Sequence, residues 1–458
     1  MNKNKSDVPI IKLFKHNDEY YLYDTFTNSL FLITEEHYLE LCKLKKIGIK
    51  NYRALCLNTN VYKDIIQLLN KGNLKSNFIE KVKHPETNNL NNLLDRCIND
   101  LVLQVTRDCN FRCRYCLYAG ISDVERHHES IHMSWDIAKK SIDFLYDHAK
   151  DVEKLNISFY GGEPLLNFDL IRKSVKYANE RFFTKSIQYK MTINGSLITD
   201  QIIDFIIKNS FDVSISLDGP KEIQNFHRKF IYNGHDTFDI VMRNVNKIKK
   251  QNLEYFNKHI SFLSVFMHDE DFELVQAFFD SIGVNRDMIT PLEANLSGMD
   301  YIHGELSLKK FNKTKYGVIR SFIDVKEASF IQQLSSKNPL PRVWHHNGQC
   351  IPGVQRVFVD TFGTFFPCEK ITEDKTFSIG DISSGFNTEN ILNFLNIGKL
   401  TESECKQCWA MRFCNMCISS CNDLDANEIS RFQKLNSCEQ QKKNILIELK
   451  HYLDINSN

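Results

Sequence analysis

The alternation of apolar and polar residues predicts a small mixed domain at the start of the chain. Residues 8–33 are rich in β-branched and aromatic residues and break at two turn-forming segments, which predicts a β-meander. Thr34 with the acidic residues after it predicts a helix start, and residues 61–74 form an amphipathic helical pattern ended by Gly72. We therefore expect a winged-helix-like domain over residues 1–78.

The central part of the chain has a repeating strand–helix rhythm. Residues 79–97 are polar and Asn-rich and predict a linker or an interdomain helix. From residue 101 onward, apolar runs alternate with segments long enough for one helix each; the runs are LVLQVTR, LNISFYG, YKMTING, DVSISLD, HISFLSVF and NRDMITP. Six such units predict an α/β fold, a partial (β/α)6 TIM-type barrel over residues 98–330, with its chemistry at the carboxyl ends of the strands.

The last part, residues 331–458, has short strand-like pieces such as QRVFVD and GTFFPC, dense cysteines and a closing helix.

The 58 basic and 57 acidic residues give a net charge of +1, so the charge balance calls for neither nucleic acid nor an anionic membrane. No long apolar run and no signal-peptide pattern is present, and we expect a cytoplasmic protein. Fourteen cysteines in a reducing compartment then indicate metal binding or catalysis rather than disulfides.

Three cysteines, Cys109, Cys113 and Cys116, lie on one loop directly after the strand LVLQVTR. Three thiolates can hold three irons of a [4Fe-4S] cubane and leave the fourth open, where the amino and carboxylate groups of S-adenosylmethionine can chelate it. The alternatives are a zinc site or a chance cluster. Three cysteines without a nearby fourth ligand make a poor closed tetrahedral site.

This spacing, with Tyr115 directly before the third cysteine, resembles the signature of the radical S-adenosylmethionine (radical SAM) superfamily. Gly161-Gly162-Glu163-Pro164, after LNISFY, is similar to the second-strand motif of that family. The resemblance implies cleavage of S-adenosylmethionine to a 5′-deoxyadenosyl radical. It also implies that the glycines let the backbone approach the methionine amino group, with which Glu163 pairs; alone, the motif would predict only a turn.

Polar residues at the ends of the third and fourth strands extend the resemblance. Asn194, Ser216 and Asp218 are placed where the family contacts the ribose and carboxylate of the cofactor. His227-Arg228 follows in a pattern similar to the family's, which implies that Arg228 binds the methionine carboxylate by a charge-assisted pair. The alternative is a solvated arginine.

The eight remaining clustered cysteines resemble the SPASM domain of peptide-modifying radical SAM enzymes, which carries two auxiliary [4Fe-4S] clusters. The resemblance implies an outer cluster and an inner cluster, three clusters in all with the first. The inner ligand set stays open, because the family places its next cysteine where this chain has Ile418, with a cysteine on either side. Two zinc sites are the alternative. The implied outer ligands are Cys405, Cys408, Cys414 and Cys438, and the inner ones are Cys350, Cys368 and one or both of Cys417 and Cys421.

Three further residues lie near these cysteines. His345 and His346 are more typical of surface or core positions, although one could form a hydrogen bond near the inner cluster. Glu369 occupies the place where anaerobic sulfatase-maturing relatives have an aspartate that takes a proton, which makes it a candidate catalytic residue.

The N-terminal domain resembles the peptide-recognition element fused to many maturases of ribosomally made peptides. Such an element takes a leader peptide as an added strand, although a structural cap is the alternative. Together the three parts resemble maturases of Cys-rich precursor peptides that form sulfur-to-carbon thioether links, of the sactipeptide or ranthipeptide type. The implied partners are a precursor peptide with its leader and an electron donor such as flavodoxin or ferredoxin.

Other functions compete with thioether formation. Sulfatase maturation to formylglycine is disfavoured by the front domain and by the absence of aspartate at position 369. Carbon–carbon crosslinking and epimerisation stay open. A non-catalytic iron–sulfur or zinc scaffold would not need the motif at residues 161–164.

Overall fold

The computed structural model describes residues 7–116, 118, 127–232, 234–266, 271–285, 288–293, 330, 332–336, 338–346, 350–423 and 428–456. The end of the predicted barrel, residues 294–329, and its boundary at residues 330 and 331 therefore lie largely outside the described residues. Among the described helices, none combines the length and the apolar character needed to cross a membrane.

The N-terminal unit is the predicted antiparallel meander followed by helices. Its strands are β1 (Ile11–His16), β2 (Glu19–Asp24) and β3 (Ser29–Ile33), and its helices are α1 (Glu35–Ile47), α2 (Ile49–Ala54) and α3 (Asn60–Asn70). Asn17 and Asp18 both have positive φ, as a two-residue hairpin turn requires. The Thr34 side chain accepts a hydrogen bond from the backbone N–H of His37 and so caps α1 as predicted.

The predicted linker contains β4 (Lys81–Val82) and α4 (Leu90–Arg96), and β4 pairs in parallel with β13 (Val343–Trp344). This pairing joins the segment to the C-terminal part of the chain.

The six predicted strands are confirmed as six parallel neighbours in chain order, which is the predicted open α/β barrel. They are β5 (Asp100–Thr106), β7 (Lys154–Gly161), β8 (Ser186–Ile193), β9 (Asp212–Ser216), β11 (Ile260–Phe266) and β12 (Ile289–Glu293). The helices around them are α5 (Trp135–His148), α6 (Phe168–Arg181), α7 (Asp200–Lys208), α8 (Lys221–His227), α9 (Phe238–Gln251), α10 (Leu253–His259) and α11 (Asp271–Ser281).

Burial alternates along the barrel strands. In β7, the apolar residues Leu155, Ile157 and Phe159 are buried in the core, whereas Asn156 and Ser158 between them are half-buried. Because successive side chains of a strand point to opposite faces, the polar residues face away from the helices. The inner face of the sheet is therefore polar enough to receive ligands.

Two short strands, β6 (Phe111–Cys113) and β10 (Arg228–Phe230), pair antiparallel outside the barrel sheet. Their register places Arg228 opposite Cys113. This pairing fixes the cysteine loop to the segment that follows the fourth barrel strand.

The barrel sheet does not stop at β5. The strand β14 (Val357–Val359) pairs with β5 in parallel, and β15 (Thr364–Phe366), β16 (Gly380–Asp381) and β17 (Gly385–Phe386) extend it antiparallel to a ten-stranded sheet. The sequence patterns predicted β14 and β15 as strands but not their place in the barrel sheet. The remaining elements are α12 (Thr388–Leu395), α13 (Glu402–Cys405), β18 (Asn422–Asp423), β19 (Glu428–Ile429) and the closing helix α14 (Arg431–Asn456).

The two faces of the N-terminal sheet have different partners. One face packs on α1 and α3 through a core that includes Leu22 and Leu44. The other face, with Tyr21 and Tyr23, packs on Phe413 and on α14. The N-terminal unit is thus held against the cysteine-rich part of the chain.

Candidate active site

The cysteine loop begins where β5 ends, at the carboxyl edge of the barrel. Backbone N–H groups already point at two of its sulfurs: Phe111 N lies 3.3 Å from Cys109 Sγ, and Tyr118 N lies 3.4 Å from Cys116 Sγ. Burial is the main cause that raises the pKa of Cys113 to about 12, and it raises that of Cys109 further. A metal must therefore displace protons from these thiols, and the donor set fits an iron–sulfur cluster.

The glycines of the 161–164 motif allow the second strand to approach the cysteine loop. A Cβ atom on Gly161 would lie 2.1 Å from Thr106 O, and one on Gly162 would lie 2.3 Å from Asp108 O and 3.0 Å from Cys109 Cβ. No larger residue fits without moving the backbone. Packing within the chain therefore requires glycine at both positions, in addition to the approach to a cofactor that the resemblance implies.

Glu163 is buried between the ends of two strands. Its carboxylate accepts hydrogen bonds from the backbone N–H of Asn194 at 2.7 Å and of Leu165 at 3.1 Å. Burial outweighs these bonds and raises the pKa of Glu163 to about 7. A carboxylate can accept more than two bonds, so an ammonium group can still pair with it.

Asn194 connects this strand end to the cysteine loop. Its side-chain amide donates to Asn110 Oδ1 at 2.8 Å, and its own oxygen accepts from Ser196. Asn194 therefore helps to position the loop in addition to any role toward a ligand.

A second polar group lies beside Cys113. Asp218 is fully buried and accepts from Tyr115 Oη at 2.5 Å and from Arg228 Nε at 3.1 Å. The guanidinium also lies over the Tyr115 ring, 5.4 Å from its centroid. Arg228 is thus buried and paired rather than solvated, while Ser216 is half-buried at the end of β9.

Sequence reasoning missed one neighbour of the cysteine loop. His128 Nε2 lies 3.6 Å from Cys116 Sγ, and burial lowers the pKa of this imidazole to about 4. Its place beside a cysteine twelve positions earlier has no local sequence signal. Among the residues that the structure describes, no three His, Cys, Asp or Glu side chains converge closely enough to hold a single metal ion. A [4Fe-4S] cluster does not require such convergence on one ion, because each thiolate binds a different iron.

The C-terminal cysteines fall into two groups. In the inner group, desolvation raises the pKa of Cys350 and Cys417 raises it further. Burial raises the pKa of Cys368 to about 11, with upward contributions from Glu369, Cys350 and Cys417. These couplings place Cys417 beside the other two thiols.

The outer group contains the four cysteines implied by the resemblance. Burial raises the pKa of Cys408 to about 11 and that of Cys414 to about 12, and Cys405 and Cys438 raise both further. Cys421 is fully buried, and burial raises its pKa to about 12, with Cys417, Cys438 and Cys405 as neighbours. Cys417 thus acts electrostatically on Cys350, Cys368 and Cys421, and Cys421 has neighbours in both groups.

Glu369 is held in an ion-pair network rather than left free. Both of its oxygens accept from Arg356 Nη1, at 2.7 and 2.9 Å, and Arg356 Nε donates to Asp100 at 3.0 Å. Asp100 begins β5, so the network joins the inner cysteines to the barrel. Arg356 was not predicted, because Asp100 is 256 positions away in sequence and the spacing of 13 positions to Glu369 has no periodic signal.

His345 and His346 are buried core residues. His345 Nε2 accepts from the backbone N–H of Gly398 at 3.0 Å, and burial lowers the pKa of His345 to about 4. The more common alternative given above, a role in the core, therefore applies to both histidines.

Comparisons with known proteins agree with this geometry. Residues 103–282 match the family model described as the radical SAM superfamily. The cysteine-type anaerobic sulfatase-maturating enzyme of Clostridium perfringens is 24% identical over 372 residues, which cover 75% of this chain and 94% of that protein. The radical SAM cyclopropyl synthase TigE of Paramaledivibacter caminithermalis is 21% identical over 432 residues, covering 89% and 88%.

Among solved structures, native anSMEcpe with bound AdoMet superposes with a TM-score of 0.51 at 21% identity, covering 77% of this chain and 99% of that one. At this identity the likeness speaks for the fold. Sequence, fold and the placement of the cysteine loop at the strand ends lead to one conclusion: this chain is an enzyme that contains a radical SAM domain over residues 103–282.

Proposed function

We propose that this enzyme modifies a ribosomally made, Cys-containing precursor peptide and joins a cysteine sulfur to a carbon atom. The observation that carries the proposal is the inner group, in which the Cys417 thiol raises the pKa of both Cys350 and Cys368, and we assign Cys417 as the third ligand of this group. Three protein thiols leave one iron of a cubane for a thiolate from the substrate. The network through Arg356 ties this group to β5 of the barrel.

The residues of the barrel bind and orient the cofactor in this proposal. Cys109, Cys113 and Cys116 would hold the first [4Fe-4S] cluster, and Glu163 would pair with the methionine ammonium group. When bound, the clusters and S-adenosylmethionine supply a carbon radical that removes hydrogen from carbon, and iron that takes up a thiolate and the remaining electron. The buried Asp218–Arg228 pair holds the guanidinium beside Cys113, where the resemblance implies a carboxylate.

The N-terminal unit would bind the leader peptide. Within the described residues β3 pairs with β2 alone, so its outer edge presents unpaired backbone groups. Leu32 on this strand is 63% exposed, which suits an added strand with apolar side chains. The flavodoxin or ferredoxin donor and the cytoplasmic location stay predictions.

Sulfatase maturation is the second candidate, because sulfatase-maturating enzymes align over three quarters of this chain. In that reaction Glu369 would take a proton. Both oxygens of Glu369 accept from Arg356, so taking a proton would break this pair. The structure of the site therefore favours a positioning role for Glu369.

Metal analysis of protein prepared without oxygen tests the cluster assignment. Iron and sulfide should each approach about twelve per chain. Cys417→Ala should lose about four irons, whereas Cys421→Ala should keep them. Changing Cys109, Cys113 and Cys116 together to Ala should abolish formation of 5′-deoxyadenosine and leave the auxiliary signals. Two zinc ions with only four irons would contradict the auxiliary clusters.

Coexpression with short Cys-containing peptides tests the reaction. A modified peptide should lose two hydrogen atoms per link and one alkylatable thiol per link, as measured by mass spectrometry with and without iodoacetamide. Leu32→Glu should weaken capture of the peptide without changing the iron content. Formylglycine in the product, with every other thiol still alkylatable, would favour sulfatase maturation instead.

A further inference from the structure

A lysine ammonium is buried inside the outer cysteine group. Lys434 is 1% exposed and lies in the first turn of α14, four residues before Cys438. Residues four positions apart lie on the same face of a helix, so both side chains face the same group. The backbone N–H of Lys434 donates to Ser430 O, which fixes the start of the helix.

The polar contacts of this ammonium lead to a cysteine sulfur. Lys434 Nζ donates to Thr401 Oγ1 at 2.5 Å and lies 3.8 Å from Cys405 Sγ. Thr401 Oγ1 is itself 3.3 Å from the same sulfur. The ammonium thus reaches Cys405 both directly and through one hydroxyl.

No carboxylate of the described residues lies within ion-pair distance of Lys434. Burying an ammonium group is unfavourable unless an opposite charge compensates for the lost hydration. The opposite charge must therefore come from the cysteine group, whose Cys405 sulfur lies 3.8 Å from Nζ. A cluster held by these cysteines is an anionic centre and would supply this charge.

We propose that Lys434 raises the reduction potential of the outer cluster. Reduction adds negative charge to the cluster, and a fixed ammonium beside one ligand sulfur stabilises the reduced state more than the oxidised state. Lys434 is then a positioning residue, and it makes the outer cluster a better electron acceptor than the same cluster would be without the ammonium group. This inference rests on the proposed outer cluster at Cys405, Cys408, Cys414 and Cys438.

The test is a redox titration followed by EPR in the variant that lacks the three cysteines of the first loop, so that only auxiliary signals remain. At the midpoint potential of the protein with Lys434 intact, Lys434→Met should lower the ratio of reduced to oxidised outer cluster by at least about tenfold. This change corresponds to a decrease of about 59 mV in the midpoint potential for one electron. The inner signal should not move. Thr401→Val, which keeps the ammonium and removes the hydroxyl, should give a smaller shift in the same direction.

Lys443→Met is the matched control, because it removes an exposed lysine from the same helix, and its midpoint should be unchanged. A full complement of iron with an unshifted midpoint in Lys434→Met would overturn the inference. If Lys434→Met fails to take up the outer irons, Lys434→Arg should restore them; failure of this variant too would assign Lys434 to packing. Absence of outer iron from the unsubstituted protein would instead refute the proposed cluster.

Discussion

Gly162 sets the distance between the second barrel strand and the cysteine loop. Gly162→Ala would bring a Cβ to 2.3 Å from Asp108 O, and the clash is with backbone, which cannot rotate away. We expect the variant to fold and to lose the first cluster, with about four of about twelve irons missing and no 5′-deoxyadenosine formed. Gly385→Ala adds a Cβ that meets no atom within 4 Å, although its φ of 78° strains an alanine; this variant should lose some stability but keep its iron. Full iron in Gly162→Ala would contradict this account.

The buried Asp218–Arg228 pair gives a second prediction. Asp218→Asn would leave the Arg228 guanidinium buried without its counter-charge, and removing one partner of such a pair costs about 3–5 kcal/mol. Urea denaturation should show a clearly lower midpoint. Asp239→Asn, which breaks the exposed pair with Lys221, should leave the midpoint nearly unchanged. Equal decreases of the urea midpoint in the two variants would show that burial does not determine how much the Asp218–Arg228 pair contributes to stability.

Single residues show where sequence reasoning succeeds and where it ends. Cys109 and Gly162 carry their chemistry in the residue type and the spacing, so the sequence predicts them. The backbone partners of Glu163, and the place of Lys434 beside Cys405, depend on chain segments that meet only after folding. Lys434 had one weak signal, its position one helical turn before Cys438.

At the scale of elements, alternation and turn signals predicted all six barrel strands and the N-terminal meander. They did not predict β6 and β10, which are three residues each and too short for a periodic pattern. They also could not show that β14 pairs with β5, because Arg356 and Asp100 are 256 positions apart. Periodicity reports the face that a strand buries, not the strand beside it.

The shared sheet predicts that the barrel and the C-terminal part unfold together. Phe358 in β14 is fully buried, and Phe358→Ala should cost about 3–5 kcal/mol. Calorimetry should show one transition that moves as a whole to lower temperature. Phe432→Ala, at a side chain that is 70% exposed, is the control and should change little. Two transitions, of which only one moves, would mean that the parts unfold separately.

At the scale of the whole molecule, the N-terminal unit is packed on the segment that carries the outer cysteines. Thr25 Oγ1 donates to Trp409 O at 3.0 Å, and Tyr23 packs on Phe413. The unit therefore supports the cysteine-rich part in addition to the proposed binding of a leader.

Deletion of residues 1–78 tests this support. It would uncover Phe413, Ile445 and Leu449, so we expect increased binding of an apolar dye such as ANS and loss of about four irons from the outer group. Leu32→Glu, which alters only the outer edge of the sheet, should keep both properties of the intact protein. Full iron content without dye binding in the truncated chain would mean that the N-terminal unit binds the leader but does not support the cysteine-rich part.

The pairing of β14 with β5 also bears on biosynthesis. During translation, β5 emerges long before β14, and its second edge has no partner until the ribosome has released residue 359. An unpaired parallel strand edge invites association with other chains. Slow or interrupted synthesis of the later part should therefore yield insoluble protein, and the nascent chain should gain most from chaperones between the exit of these two strands.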